Sequence, residues 1–96
     1  MKMEEHYLGD DIPIRFDVLI DGKPAYVSSA GVDIYNPKSQ YVAAGPCKVS
    51  HGEVRFVLKG EEVETVGIYT AIFKVEIKWF GEQSHLVKFR VKRLRK

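Results

Sequence analysis

The chain has 96 residues, of which 45% are hydrophobic and 29% charged, with a formal net charge of +2. That length accommodates one domain and excludes two, and the hydrophobic share suffices for a core built without metals or disulfide staples. A charge this close to balance does not by itself require a nucleic-acid partner, and the single cysteine, Cys47, excludes an internal disulfide.

The opening residues, MKMEEHYLGDD, are polar and acidic. They lack the basic and apolar regions of a signal peptide, and no apolar run reaches bilayer length. Cytoplasmic synthesis without a signal peptide, and no membrane partner, are therefore expected. Residues 1–9 read as a flexible lead. Side-chain amides are confined to Asn36, Gln40 and Gln83 while Lys and Glu abound, a balance that leans toward a thermophilic source.

From Ile12 to Ile20, apolar Ile12, Ile14, Phe16, Val18 and Ile20 alternate with Pro13, Arg15, Asp17 and Leu19, the period of a strand with one buried face. Pro13 cannot donate to a ladder, which places this strand on an edge. Asp21-Gly22 can adopt the positive φ angles of a two-residue turn, so a hairpin returning through Lys23 to Val27 is expected. Ala30, Val32 and Ile34 form the next strand, closed by Asn36-Pro37, and Gln40 to Ala44 form another that ends at Gly45-Pro46.

Beyond the turn at Ser50-His51-Gly52, Val54, Phe56 and Leu58 alternate with Glu53, Arg55 and Val57. Lys59 to Thr65 is a charged connection with room for a single helical turn. The longest alternation runs through Tyr69, Ala71, Phe73, Val75, Ile77 and Trp79 and predicts a central strand. Phe80-Gly81-Glu82 turns the chain into a last strand with Val87, Phe89 and Val91 inward and Lys88, Arg90 and Lys92 outward. The pattern predicts no amphipathic helix, no repeat and no linker. It gives one domain over residues 1–96 with a basic tail at 93–96.

About seven short strands in a chain of this length predict an all-β, immunoglobulin-like, two-sheet antiparallel sandwich without a disulfide, with a small closed barrel such as an OB-fold as competitor. Phe16, Val32, Ile34, Phe56, Phe73, Val75, Phe89 and Val91 are the predicted core.

Thr65-Val66-Gly67-Ile68-Tyr69-Thr70-Ala71 resembles the immunoglobulin-superfamily signature D-x-G-x-Y-x-C. In that signature Gly turns the chain into a strand, and the Tyr hydroxyl ties back to upstream backbone as a tyrosine corner. Gly67 and Tyr69 match it. Thr65 replaces the Asp and Ala71 stands where the cysteine would be, so the resemblance is to disulfide-free relatives. The succession Asp21-Gly22, Ala30 to Ile34, Gly52 to Phe56 and Gly67 to Phe73 is similar to that of the immunoglobulin-like N-terminal domains of phage baseplate upper proteins. This resemblance covers most of the chain through short, degenerate pieces. It implies a virion or cell-surface building module and supplies no catalytic residues.

Chemistry finds little support in the sequence. Cys47 and His51 are the one close thiol and imidazole, but no third residue presents itself to orient the histidine. His6, His51 and His85 are too scattered for a zinc motif, and Asp10, Asp11 and Asp33 lack the spacing of a calcium loop. The glycines punctuate turns and never gather into a phosphate cradle. No enzyme activity, no catalytic, cofactor or metal site, no cofactor and no small-molecule substrate are expected.

Binding features remain. Lys88, Arg90 and Lys92, with Lys74 and Lys78 on the preceding strand, form a basic stripe that can meet phosphate or simply discourage edge-to-edge pairing. Tyr26, Tyr35 and Tyr41 fall on or near outward positions, where aromatic side chains serve protein or sugar contacts or pack at a sheet margin. The leading expectation is a non-catalytic structural or assembly module, a virion component included, acting through self-association or a protein partner. A module for carbohydrate or a cell-surface protein comes second, and a nucleic-acid-associated factor using the basic last strand third.

Overall fold

The computed structural model describes residues 3–93. Of the expected basic tail, only Arg93 falls within that range, and residues 94–96 lie outside it. Ten strands follow one another: β1 (Glu4–Tyr7), β2 (Ile12–Asp17), β3 (Leu19–Ile20), β4 (Lys23–Pro24), β5 (Val27–Tyr35), β6 (Tyr41–Pro46), β7 (Lys48–Ser50), β8 (Glu53–Leu58), β9 (Gly67–Ile77) and β10 (Gly81–Lys92). A single 3-10 turn at Gly60–Glu62 occupies the charged connection. The strands assemble into a five-stranded sheet, β1-β10-β9-β5-β6, a three-stranded sheet, β2-β8-β7, and a two-stranded ribbon, β3-β4. Neither of the two larger sheets closes on itself, so the fold is a sandwich and not a barrel.

The period-two pattern decides which faces meet. Ile12, Ile14 and Val18 point inward from β2 and its continuation, Val54 and Leu58 from β8, and Tyr69, Ala71, Phe73, Val75 and Ile77 from β9. Together with Val32, Ile34, Phe89 and Val91 they make one buried cluster, against which Phe16 and Phe56 are half-buried. The two sheets touch directly where the Phe16 ring meets the Phe73 ring edge-on, with centroids 4.7 Å apart. Burying a large apolar side chain in this way contributes about 1.5–3 kcal/mol.

Four local expectations are revised. The first concerns the opening hairpin. β2 pairs with β8, Ile12 opposite Leu58 through Asp17 opposite Glu53, and the Asp21-Gly22 turn joins only β3 to β4. Asp21 and Gly22 do take the expected positive φ, 52° and 78°. Val18 then leaves the hairpin course, its N–H donating to the Gly52 carbonyl at 2.8 Å. The short ribbon therefore carries the chain from the small sheet to the large one.

The second concerns the start of the chain. Glu4–Tyr7 lies within the stretch read as loose, yet it forms β1, parallel to β10 with Glu4 opposite Phe89 and Tyr7 opposite Lys92. The sandwich is thus not wholly antiparallel. Third, β9 ends at Ile77, and Lys78-Trp79-Phe80 form the loop to Gly81. Trp79 sits there at φ 71°, outside the strand phase assigned to it. Fourth, Lys48–Ser50, for which the sequence pattern predicts no strand, is one, paired with β8 through the expected turn at His51-Gly52.

The tyrosine corner forms as the signature implies. Tyr69 is fully buried, its ring stacked on Phe89 at 5.4 Å. Its hydroxyl donates to the Thr65 carbonyl at 2.7 Å and accepts from the Thr65 N–H at 3.4 Å. Gly67 turns the chain into β9 at φ 130°, and a side chain there would meet Pro37. Both requirements exclude a bulkier residue.

Candidate interaction surface

The features singled out for chemistry do not converge. Cys47 is half-buried against the core beside β7, and burial pushes its thiol up to about 11. A thiol so reluctant to ionise is a poor nucleophile. His51 lies exposed in the turn beyond β7. His6 sits on β1 with its Nε2 3.2 Å from Glu4 Oε1. The His85 ring packs at 4.9 Å against Phe16, and its Nε2 is sealed from solvent with no hydrogen-bond partner among the described residues.

The aspartates scatter as well. Asp11 accepts the Gly60 N–H at 2.8 Å and lies 3.8 Å from Lys59 Nζ, which ties the start of β2 to the 3-10 turn. Asp33 stands instead on β5, between Ala44 and Ile72. Among the described residues, no three His, Cys, Asp or Glu side chains come close enough together to hold a metal ion.

The binding features do converge, on the outer face of the five-stranded sheet. Strand register sets Lys88 opposite Thr70, Thr70 opposite Tyr35, and Tyr35 opposite Tyr41, in one rank across four strands. The Tyr35 and Tyr41 rings meet edge-on at 6.1 Å. The adjoining rank runs from Leu86 through Ile72 and Asp33 to Ala44, and Arg90 lies opposite Ile68 on the other side. Leu86 on β10 and Tyr41 on β6 are 60% and 61% exposed, and Ile68 on β9 is exposed as well. Tyr35, Tyr41 and the basic stripe thus share a surface on which Leu86 stands opposite Ile72.

The stripe itself needs a correction. β1 covers β10 only from Phe89 to Lys92, so Arg90 and Lys92 lie where the edge is already paired, whereas Lys88 stands at the end of the stretch from Gly81 that β1 leaves open. Lys92 Nζ is instead 2.9 Å from Glu5 Oε1 on the neighbouring strand. Tyr26 is drawn elsewhere: its ring and that of Trp79 take the Lys78 ammonium at 5.1 and 4.8 Å, at the end of the sheet. Trp79 is 83% exposed. Sequence reasoning missed the exposed Leu86, because a lone apolar residue in a polar run carries no period, and it set Trp79 on the inward phase of β9 although the residue lies exposed beyond the end of that strand.

No protein-family model matches the chain, and no curated protein is similar to it in sequence. The solved structures that are similar in fold include the following two. CopC from Methylosinus trichosporium OB3b superposes with a TM-score of 0.69 at 13% identity, over 97% of this chain and 88% of that one. A proposed glycoside hydrolase from Bacteroides vulgatus ATCC 8482 superposes with a TM-score of 0.60 at 12% identity. There the match takes in 98% of this chain but 17% of the other, so the chain corresponds to a small part of that protein. At such identities the likeness establishes the β-sandwich fold and nothing about activity.

Proposed function

We propose that this chain is a non-catalytic assembly module that docks against copies of itself through the outer face of its five-stranded sheet. The observation that supports the reading is the apolar group on this face, with Leu86, Ile68 and Tyr41 exposed and Ile72 half-buried, set among charges of both signs. Lys88 and Arg90 flank it on one strand and Asp33 on another, so two copies related by a two-fold axis can match cation to carboxylate while covering the apolar centre. Isolated apolar residues on a surface need no explanation, but a contiguous group does. The narrower assignment, a virion building module, rests on the succession of motifs in the sequence.

Light scattering over a range of concentrations tests the reading. The parent is expected to gain mass as concentration rises, and Leu86→Asp to remain monomeric with an unchanged melting temperature. A parent that stays monomeric at high concentration refutes the proposal. A second reading, a carbohydrate-binding module, is favoured by one observation, the exposed Tyr26 and Trp79 rings on either side of Lys78. Binding to a glycan array that is lost in Trp79→Ala would support it over self-assembly.

A further inference from the structure

The opposite face of the sandwich carries a second surface, built from residues of three different strands. On the outside of the three-stranded sheet, Arg15 stands directly opposite Arg55, and Arg55 directly opposite Lys48. Like charges placed opposite one another across strands are destabilising, so a rank of three cations is not what folding alone selects. Glu53 answers two of them, at 3.2 Å from Arg55 and a looser 3.7 Å from Arg15. Lys48 has no ion-pair partner among the described residues.

The next rank toward the end of the sheet is apolar, with Pro13 opposite Val57. Lys59 follows on the same side of the chain, its ammonium loosely held by Asp11 at 3.8 Å. Arg15, Lys48, Arg55 and Lys59 therefore surround a Pro13–Val57 floor, and all six line a groove of about 700 Å³. Glu4 is the one carboxylate that also lines it, and Glu4 Oε1 lies against His6. Adjacent strands are about 4.8 Å apart, so the cationic rank is about 10 Å wide, and Lys59 lies about 13 Å along the strand from Arg55.

We infer that this groove binds an extended acidic segment of a partner protein, in which carboxylates alternate with small apolar side chains. Cations at both ends of the floor match carboxylates spaced along an extended chain, and the Pro13–Val57 pair matches the apolar side chains between them. The arginines offer forked donors suited to carboxylates. Nucleic acid fits less well, because the one aromatic residue lining the groove, Phe56, is half-buried and packed against the core, which leaves no free ring on which a base could stack. The surface is independent of the self-docking face, which lies on the other sheet.

Fluorescence anisotropy with a labelled decapeptide of alternating Glu and Val provides the test. The parent is expected to bind it, more weakly as salt rises, and Arg55→Glu and Lys48→Glu to weaken binding by at least about tenfold. Both variants should melt at or above the parent temperature, since each breaks up the row of like charges. Leu86→Asp and Lys88→Glu, on the opposite face, should bind as the parent does, which keeps this test distinct from that of self-assembly. Three outcomes overturn the inference. These are no binding by the parent, equal binding by parent and groove variants, or tighter binding of duplex DNA than of the peptide. Equal binding of a Glu-Ser decapeptide would remove the role assigned to Pro13 and Val57.

Discussion

Replacing Tyr69 with Phe isolates the hydroxyl of the tyrosine corner, because the ring remains to stack on Phe89 and fill the core. The lost interactions are a short bond to the Thr65 carbonyl, 2.7 Å, a long one from the Thr65 N–H, 3.4 Å, and a contact with Thr65 Oγ1 at 3.1 Å. Thr65 is half-buried, so water reaches part of what the hydroxyl leaves unpaired. The expected cost is therefore about 1–2 kcal/mol, at the lower end for orphaned buried groups. In a domain of this size each kcal/mol moves the midpoint by about 4–8 °C, giving a fall of roughly 5–15 °C in a thermal melt followed by circular dichroism. Urea titration should give the same loss with an unchanged slope. Thr65→Val removes only the side-chain contact and should cost less than half as much. A Tyr69→Phe midpoint within about 1 °C of the parent would show that the corner contributes no net stability and would refute the reasoning.

Phe73→Ala empties the point where the two sheets meet and should cost about 3–5 kcal/mol, enough in a urea titration to leave a substantial fraction of so small a domain unfolded. A thiol raised to about 11 should alkylate at pH 8 at least about tenfold more slowly than free cysteine, as measured with iodoacetamide and mass spectrometry. The stability conferred by the neutral Cys47 thiol is complete below the free thiol's pKa and is lost as pH rises through about 11, so Cys47→Ala should flatten the alkaline limb of the stability profile. His85→Phe removes the sealed, unpartnered Nε2 while keeping a ring against Phe16, so its melting temperature should match or exceed the parent's. A clear destabilisation would reveal a partner for that nitrogen.

The sequence is most readable where each strand buries one face, because the period of two then states directly which residues point inward. Every core residue read in this way is buried or packs against the core, from Val32 and Ile34 to Phe89 and Val91. Pro13 likewise marks β2 as an edge of its sheet. Glycine and turn chemistry placed the Asp21-Gly22 turn but not its partner strands, since a two-residue turn fixes only the residues next to it. β2 prefers β8 because Ile12, Ile14 and Phe16 meet Leu58, Phe56 and Val54 there, a pairing between segments some forty residues apart that local pattern cannot express. The surfaces were harder to read for the same reason. Lys88, Tyr35 and Tyr41 become neighbours only through the registers of four strands, and Arg15, Arg55 and Lys48 only through those of three.

The reassignment of the basic stripe follows from one strand. β1 pairs in parallel with residues 89–92 of β10 and covers the edge there, bringing Glu5 beside Arg90 and Lys92. On one side the large sheet therefore ends in β1, four residues long with two glutamates, and in residues 81–88 of β10, which β1 does not reach; on the other it ends in β6, which closes at Gly45-Pro46 where a proline cannot donate to a further strand. Short length, charge and proline discourage addition of another strand at β1 and β6, so Arg90 and Lys92 are not needed there, whereas Lys88 still borders the open stretch of β10. Arg90, set where β1 already covers the edge, is available to the proposed contact across the face, beside the strand position of Ile68. The same reasoning separates the two surfaces of the sandwich. One is apolar and bordered by both signs of charge, which suits a copy of itself, whereas the other is a cationic frame around a small apolar floor, which suits an acidic chain.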